Sequence, residues 1–344
     1  MRSFELTIDL GGRLPVPGPA TVAATLHLPD RDSVDAVVFA YPGGGFGRRY
    51  FDLRLQGLSG YSQAEHLTAR GVALVACDHL GLGESSPLPD PAHQTIEVLA
   101  DANAAAVPLI VAALGRLVPE VRLPAAGSPR FVGLGHSLGG CLLVAQQARH
   151  ASFGALMILG SSGRHTAFPA ETGGGIVDVD FPSRGQDPLL NPPSRPFTRA
   201  EKRYTYYADD VPASLAEVDL DANAFNPGGS RLVRGSAEVP WGSPNRPACA
   251  STMCSPGVVA AEAARIDVPL FVGLGERDVV AEPLLELTAY PKVSDFTMVT
   301  VAGMSHIHNF AGSRAVLWDR IAGWISARRG STSDGSLTSP RVRS

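Results

Sequence analysis

The stretch Arg130-Phe-Val-Gly-Leu-Gly-His-Ser-Leu-Gly-Gly140 constrains this chain more than any other. An apolar run ends in a glycine-rich turn, and residues 141–149 continue with helical character. Gly135-His-Ser-Leu-Gly139 has the G-x-S-x-G form, one serine set between glycines at a strand-to-helix turn. Such a turn forces the serine into a strained backbone conformation, and the glycines let strand and helix approach closely. The Ser137 hydroxyl then stands clear at the end of a sheet. The Leu138 N–H falls at a helix N-terminus, where an oxyanion is stabilised. With 37 glycines the bare pattern arises by chance about 0.3 times in such a chain, so its context carries the reading.

The flanking sequence supplies that context. Residues 4–10 and 21–28 read as two β-rich runs, an antiparallel start. From Asp35 the pattern changes to continuous apolar runs at 36–41, 72–77 and 153–159, as in strands covered on both faces. Helical patterns lie between them at 61–70 and 95–117, the second interrupted or kinked at Pro108. The alternation implies right-handed crossovers and a mostly parallel sheet flanked by helices, an α/β fold. It breaks near Gly160 and resumes with a strand at 268–274, a helix near 282–289, a strand at 295–301 and an amphipathic helix at 313–328. Between lies a Pro- and Gly-rich stretch holding Phe168, Phe181, Phe197, Tyr204, Tyr206, Tyr207, Phe225 and Trp241. The expected organisation is a core of 1–160 and 254–329, an inserted lid of 161–253, and a disordered tail of 330–344.

A serine hydroxyl needs a base, and the base needs an orienting acid. In an open parallel sheet such groups belong at the carboxyl ends of strands. Asp278 lies just beyond the carboxyl end of the strand at 268–274, whereas Asp267 precedes it and Glu276 suits a supporting role. Were the acid instead after the strand ending near Leu159, Asp178 or Asp180 would be the candidates. The loop after the last strand, Val301-Ala-Gly-Met-Ser-His-Ile-His-Asn-Phe310, offers His306 as base, with His308 expected on the pocket wall. His136 is expected to pack away from Ser137. Tyr41-Pro-Gly-Gly-Gly-Phe-Gly47 follows a strand, and its successive glycines let backbone N–H groups of Gly44 or Gly45 complete an oxyanion hole with Leu138. The order Ser137, Asp278, His306 is the order this architecture uses.

These stretches resemble the α/β-hydrolase superfamily over most of the chain. Pro42-Gly-Gly-Gly-Phe46 is similar to the His-Gly-Gly-Gly loop of esterases, with proline in place of histidine. Asp78-His-Leu-Gly-Leu-Gly-Glu-Ser85 looks like the superfamily's Asp-x-x-Gly-x-Gly-x-Ser turn, and Gly303-Met-Ser-His306 resembles its Gly-x-Gly-His loop. The resemblance implies an α/β-hydrolase fold with a lid after strand six, and a serine hydrolase acting on a carboxylic ester or lactone. Thioester, amide or C–C bond hydrolysis and acyl transfer are the alternatives on the same triad, and a non-catalytic binding protein is a more distant one. Substrate contacts are expected from Phe46, His308, Tyr204, Tyr206 and Tyr207, suiting a small to medium apolar or aromatic substrate.

The remaining features exclude other classes. Against 33 acidic residues stand 29 basic ones, a net charge of −4, which gives no basic footprint for nucleic acid. No Walker A sequence occurs, and the nearest match to G-x-G-x-x-G ends on Leu138. No metal or cofactor is called for, and no apolar run of membrane-spanning length is expected. The N-terminus lacks the apolar stretch of a signal peptide, so a cytoplasmic protein is expected. Of the four cysteines, Cys77 and Cys141 read as small buried residues, and the spacing of Cys249 and Cys254 permits a bridge without requiring one.

Overall fold

The computed structural model describes residues 1–88, 90–224 and 239–328. Phe225 and the tail expected to be disordered lie outside them. The chain runs β1 (Arg2–Asp9), β2 (Thr21–Leu28), β3 (Ala36–Tyr41), α1 (Gln63–Thr68), β4 (Val72–Cys77), α2 (Ile96–Leu117), β5 (Phe131–His136), α3 (Leu138–His150) and β6 (Ala155–Leu159). Then come α4 (Arg199–Tyr206), α5 (Ala213–Ala222), two single turns α6 (Cys249–Thr252) and α7 (Ala260–Ala263), β7 (Leu270–Arg277), β8 (Phe296–Ser305) and α8 (Arg314–Ala327).

The eight strands form one sheet in the order β1-β2-β4-β3-β5-β6-β7-β8. The β1–β2 and β2–β4 pairs are antiparallel and all others are parallel. Every residue of β3, β4, β5 and β6 is buried, which is why those strands read as unbroken apolar runs. Strand β1 instead alternates between exposed and half-buried, as an edge strand should. Side chains alternate across the strands, so Val37 and Phe39 pack with Leu99 and Leu142 of α2 and α3 on one face. Val38 and Met157 pack with Leu67 and Leu317 of α1 and α8 on the other. Three helix starts, those of α1, α2 and α4, are capped by side chains: Ser62 accepts from the Glu65 N–H and Thr95 from that of Val98, and Thr198 with Glu201 forms a full capping box on α4.

Three expectations need correction. Residues 283–289 form a 3-10 helix rather than an α-helix, with Pro283 opening it and Leu284, Leu285 and Leu287 facing water. Helix α2 runs through Pro108 without a break. It is also long and apolar enough to cross a membrane by length and composition, with a mean hydropathy of 1.8, contrary to the sequence reading; here it packs against α3 and β1. All four cysteines are buried free thiols, and no Cys249–Cys254 bridge forms.

Candidate active site

Ser137 sits between β5 and α3 with φ 54° and ψ −120°, a conformation that non-glycine residues avoid. Its neighbours make the turn tolerable. A Cβ on Gly135 would lie 2.3 Å from the Gly139 carbonyl oxygen, and one on Gly139 would lie 2.2 Å from that of Tyr41. Only glycine fits at either position, so the local fold is dictated by the motif itself. Ser137 N–H donates to the Leu159 carbonyl at 2.8 Å, tying the turn to the end of β6.

Three side chains from three strand ends meet here. Ser137 Oγ lies 3.0 Å from His306 Nε2, and His306 Nδ1 lies 2.8 Å from Asp278 Oδ1. The Asp278 carboxylate is fully occupied. Oδ1 also accepts from the Val279 N–H at 2.8 Å, and Oδ2 accepts from the Gly275 N–H at 2.8 Å and from His308 Nε2 at 2.6 Å. Burial alone would raise this carboxyl, but the imidazoles of His308 and His306 outweigh it and hold it well below the usual carboxylate range. A hydroxyl, an imidazole and a carboxylate in this chain let the imidazole take the hydroxyl proton while the carboxylate fixes its tautomer.

His136 packs inward, donating from Nε2 to the His306 carbonyl at 2.8 Å. Burial first, then the charges of His306 and His308, push it well below its ordinary value. It therefore stays a neutral strut under the His306 loop.

The glycine loop passes directly over Ser137. A Cβ on Gly43 would lie 3.3 Å from Ser137 Cβ, and one on Gly44 would lie 3.2 Å from Leu138 Cδ2 and 3.1 Å from Ala250. Pro42, where similar loops carry histidine, has its carbonyl held by His79 Nε2 at 3.0 Å, with Asn103 against the other ring nitrogen. An imidazole from the end of β4 thus buttresses this loop, which sequence comparison by position does not reveal. Just beyond, Arg48 is buried and paired with Asp78 at 2.7 Å, and its own N–H donates to Asp78 Oδ1 at 2.5 Å. Asp78 also accepts from the Glu84 N–H at 2.8 Å, so this turn anchors the loop's far end.

The segment between β6 and β7 reaches both loops through its backbone. The carbonyls of Thr205 and Tyr206 at the end of α4 accept from His306 N–H at 3.1 Å and Ile307 N–H at 2.8 Å. The Trp241 carbonyl accepts from Gly47 N–H at 2.8 Å, and Ser243 N–H donates to the Gly45 carbonyl at 2.9 Å. A buried carboxylate, Asp219, links these two points, accepting from Tyr207 Oη at 2.6 Å and Trp241 Nε1 at 2.7 Å.

Several residues expected on a substrate wall lie elsewhere. Tyr207 is wholly buried with its hydroxyl spent on Asp219, and Phe46 is buried against Tyr50 at a ring distance of 4.8 Å. His308, 1% exposed, faces Asp278 rather than a pocket. Tyr204 lies over the Arg277 guanidinium at 4.3 Å. It lines a cavity of about 710 Å³ with Ile176, Arg277, Asp278, Met304 and Ser305, whose wall includes neither Ser137 nor the glycine loop. Tyr206 alone of the three tyrosines meets the hydrogen-bonded chain, its half-buried ring 5.6 Å from that of His306. Phe168 stands behind it at 6.0 Å, with Phe197 a further 4.1 Å on.

Residues 37–317 match the model of the alpha/beta hydrolase family, and the chain belongs to that family. No curated protein sequence matches it. Among solved structures it is similar to an esterase from Thermogutta terrifontis, with 15% identity, 95% of this chain and 99% of that one covered, and a TM-score of 0.54. A bromoperoxidase from Bacillus anthracis aligns at 11% identity over 94% of this chain and 100% of that one, with a TM-score of 0.58. The N-acyl homoserine lactonase AidH aligns at 18% identity over 95% and 98%, with a TM-score of 0.51. At these identities the likeness shows the fold, an alpha/beta hydrolase sheet of eight strands flanked by helices.

Proposed function

We propose that the protein is a serine hydrolase that cleaves a carboxylic ester or lactone through an acyl-enzyme. The observation that carries this reading is the continuous chain from Ser137 Oγ through His306 to Asp278, at 3.0 Å and 2.8 Å. Ser137 Oγ attacks the carbonyl carbon while its proton passes to His306 Nε2. Asp278 Oδ1 keeps the Nδ1–H tautomer and stabilises the imidazolium that forms. The oxyanion falls against the Leu138 N–H, the first of α3 and without an intrahelical acceptor, and against an N–H of Gly44 or Gly45. His306 then gives its proton to the leaving oxygen. A water attacks the acyl-enzyme in the second half and regenerates Ser137.

The esterase and lactonase among the similar folds agree with ester chemistry without choosing a substrate. The segment 161–253 serves as a cap over the site, and the ring of Tyr206 beside His306 favours an apolar or aromatic acyl group of medium size. The test pairs a fluorophosphonate probe with a panel of p-nitrophenyl esters and aryl lactones. Wild-type protein should be labelled and should turn over at least one ester, and Ser137→Ala should lose both, with kcat down by roughly 10⁴-fold or more. Full labelling of the alanine variant would refute the reading.

A further inference from the structure

The Asp278 carboxylate has two imidazole partners, where the relay to Ser137 uses one. We propose that His308 is a positioning residue: its Nε2–H holds the second carboxylate oxygen, fixing the rotation of Asp278 and sharing the charge that His306 feels. The proposal rests on the serine-hydrolase reading above.

Hydrogen-bond arithmetic assigns the tautomer. An ionised carboxylate only accepts, so the 2.6 Å contact requires the proton on Nε2. His308 Nδ1 is buried and has no partner among the described residues. A bare lone pair there is tolerable, whereas a bare N–H would forfeit a strong donor. Among the described residues, the groups around His308 fit this assignment. Asp278 reaches it from the end of β7, while His136 from the end of β5 lies 5.1 Å away between ring centroids. His306 lies 6.4 Å away in the same loop, and Tyr50 accepts the N–H of the adjacent Asn309 through its hydroxyl at 3.2 Å.

Two consequences follow for the reaction. Four donors, two imidazoles and two backbone N–H groups, pin both oxygens, so Oδ1 meets His306 Nδ1 at a fixed position through the catalytic cycle. Charge drawn toward His308 is also charge withheld from His306. Removing the donor at position 308 concentrates negative charge on Oδ1, stabilises the His306 imidazolium, and lets protonation silence the base at a higher pH. The acid limb of kcat/KM then moves up.

The experiment compares His308→Leu, which cannot donate, with His308→Gln, whose amide can. In His308→Leu the acid limb should rise by about half a pH unit or more. Its kcat should fall about tenfold, with KM nearly unchanged. His308→Gln should restore the limb and most of kcat. A His308→Leu limb that coincides with wild type, or a folded His308→Gln no better than leucine, overturns the proposal. Should the leucine variant fail to fold, histidine-¹⁵N-labelled wild type decides: two strongly deshielded imidazole N–H protons are expected, one of them lost in His308→Gln, and a single such proton overturns it. This spectrum is independent of turnover. Full activity of Ser137→Ala would therefore sink the serine reading separately.

Discussion

The indole N–H of Trp241 reaches Asp219 Oδ1 at 2.7 Å, joining the part of the chain that pairs with the glycine loop to the part that pairs with the His306 loop. Trp241 is 5% exposed and Asp219 is fully buried, so each donor to this carboxylate matters. Trp241→Phe keeps the ring and removes the N–H, losing one buried hydrogen bond to a carboxylate at a cost of about 1–3 kcal/mol. Thermal scans should show a melting temperature several degrees lower. Turnover of the ester best hydrolysed by wild type should fall about tenfold, with KM little changed, because the Gly45–Gly47 backbone loses its anchor. A variant that melts earlier yet turns over at the wild-type rate would show that Asp219 only packs the segment.

The next expectation separates base from acid. His306→Ala should lose roughly 10³-fold or more in kcat, since no other side chain lies within hydrogen-bond reach of Ser137 Oγ among the described residues. Asp278→Asn should lose about 10⁴-fold, because an amide in place of Oδ1 favours the wrong imidazole tautomer. An unchanged rate in Asp278→Asn would move the acid elsewhere, with Asp178 and Asp180 next to test.

Stability should fall on acidification as buried imidazoles are made to take up protons. His27, His79 and His136 are buried, and burial is the leading cause holding each below its ordinary value. Their folded-state values lie below the unfolded one near 6.5, so below that pH the unfolded chain binds protons that the native chain refuses. Stability is thus fully present above about pH 6.5 and declines below it, by up to about 1.4 kcal/mol per group per pH unit. Melting temperatures read from pH 8 to pH 5 should drop in that window, less steeply in His27→Gln. A curve flat down to pH 5 would contradict the burial of these imidazoles. Asp278, held low, adds a loss of the same sign only as pH falls below the ordinary carboxylate range near 3.8.

Much of this was legible in the sequence because the informative patterns are local. A strand covered on both faces must be apolar throughout, so β3 to β6 announced themselves, and the glycines around Ser137 are required by contacts within a few residues. Asp278 and His306, which the fold brings within hydrogen-bond reach of each other and of Ser137, were singled out by their place after strands, a rule of topology. The supporting contacts were not legible, since they join distant positions: His79 to Pro42, His308 to Asp278, and Trp241 to the glycine loop. Nor does local pattern say which side chain at a helix end faces the site. Tyr206 ends α4 and Tyr207 follows it in extended backbone, and only the packed chain directs one to His306 and the other to Asp219.

That difference between the two tyrosines sets the last expectation, on specificity. Tyr206 presents a half-buried ring to His306, with the tilted rings of Phe168 and Phe197 behind it, whereas Tyr207 is enclosed. An acyl group attached to Ser137 and flanked by His306 would meet Tyr206 before any other ring of this group. Tyr206→Ala should lower kcat/KM for bulky aromatic esters about tenfold more than for acetyl esters, because truncation removes apolar contact that a small acyl group never makes. Its melting temperature should shift little, since the ring is part exposed and its backbone carbonyl, which holds Ile307, is untouched by the substitution. Tyr207→Phe should do the reverse, lowering the melting point through loss of the buried hydrogen bond to Asp219 while leaving the substrate ranking intact. Equal losses for acetyl and aromatic esters in Tyr206→Ala would make that ring part of the packing and send the search for the acyl pocket to the Ala250 side of the glycine loop.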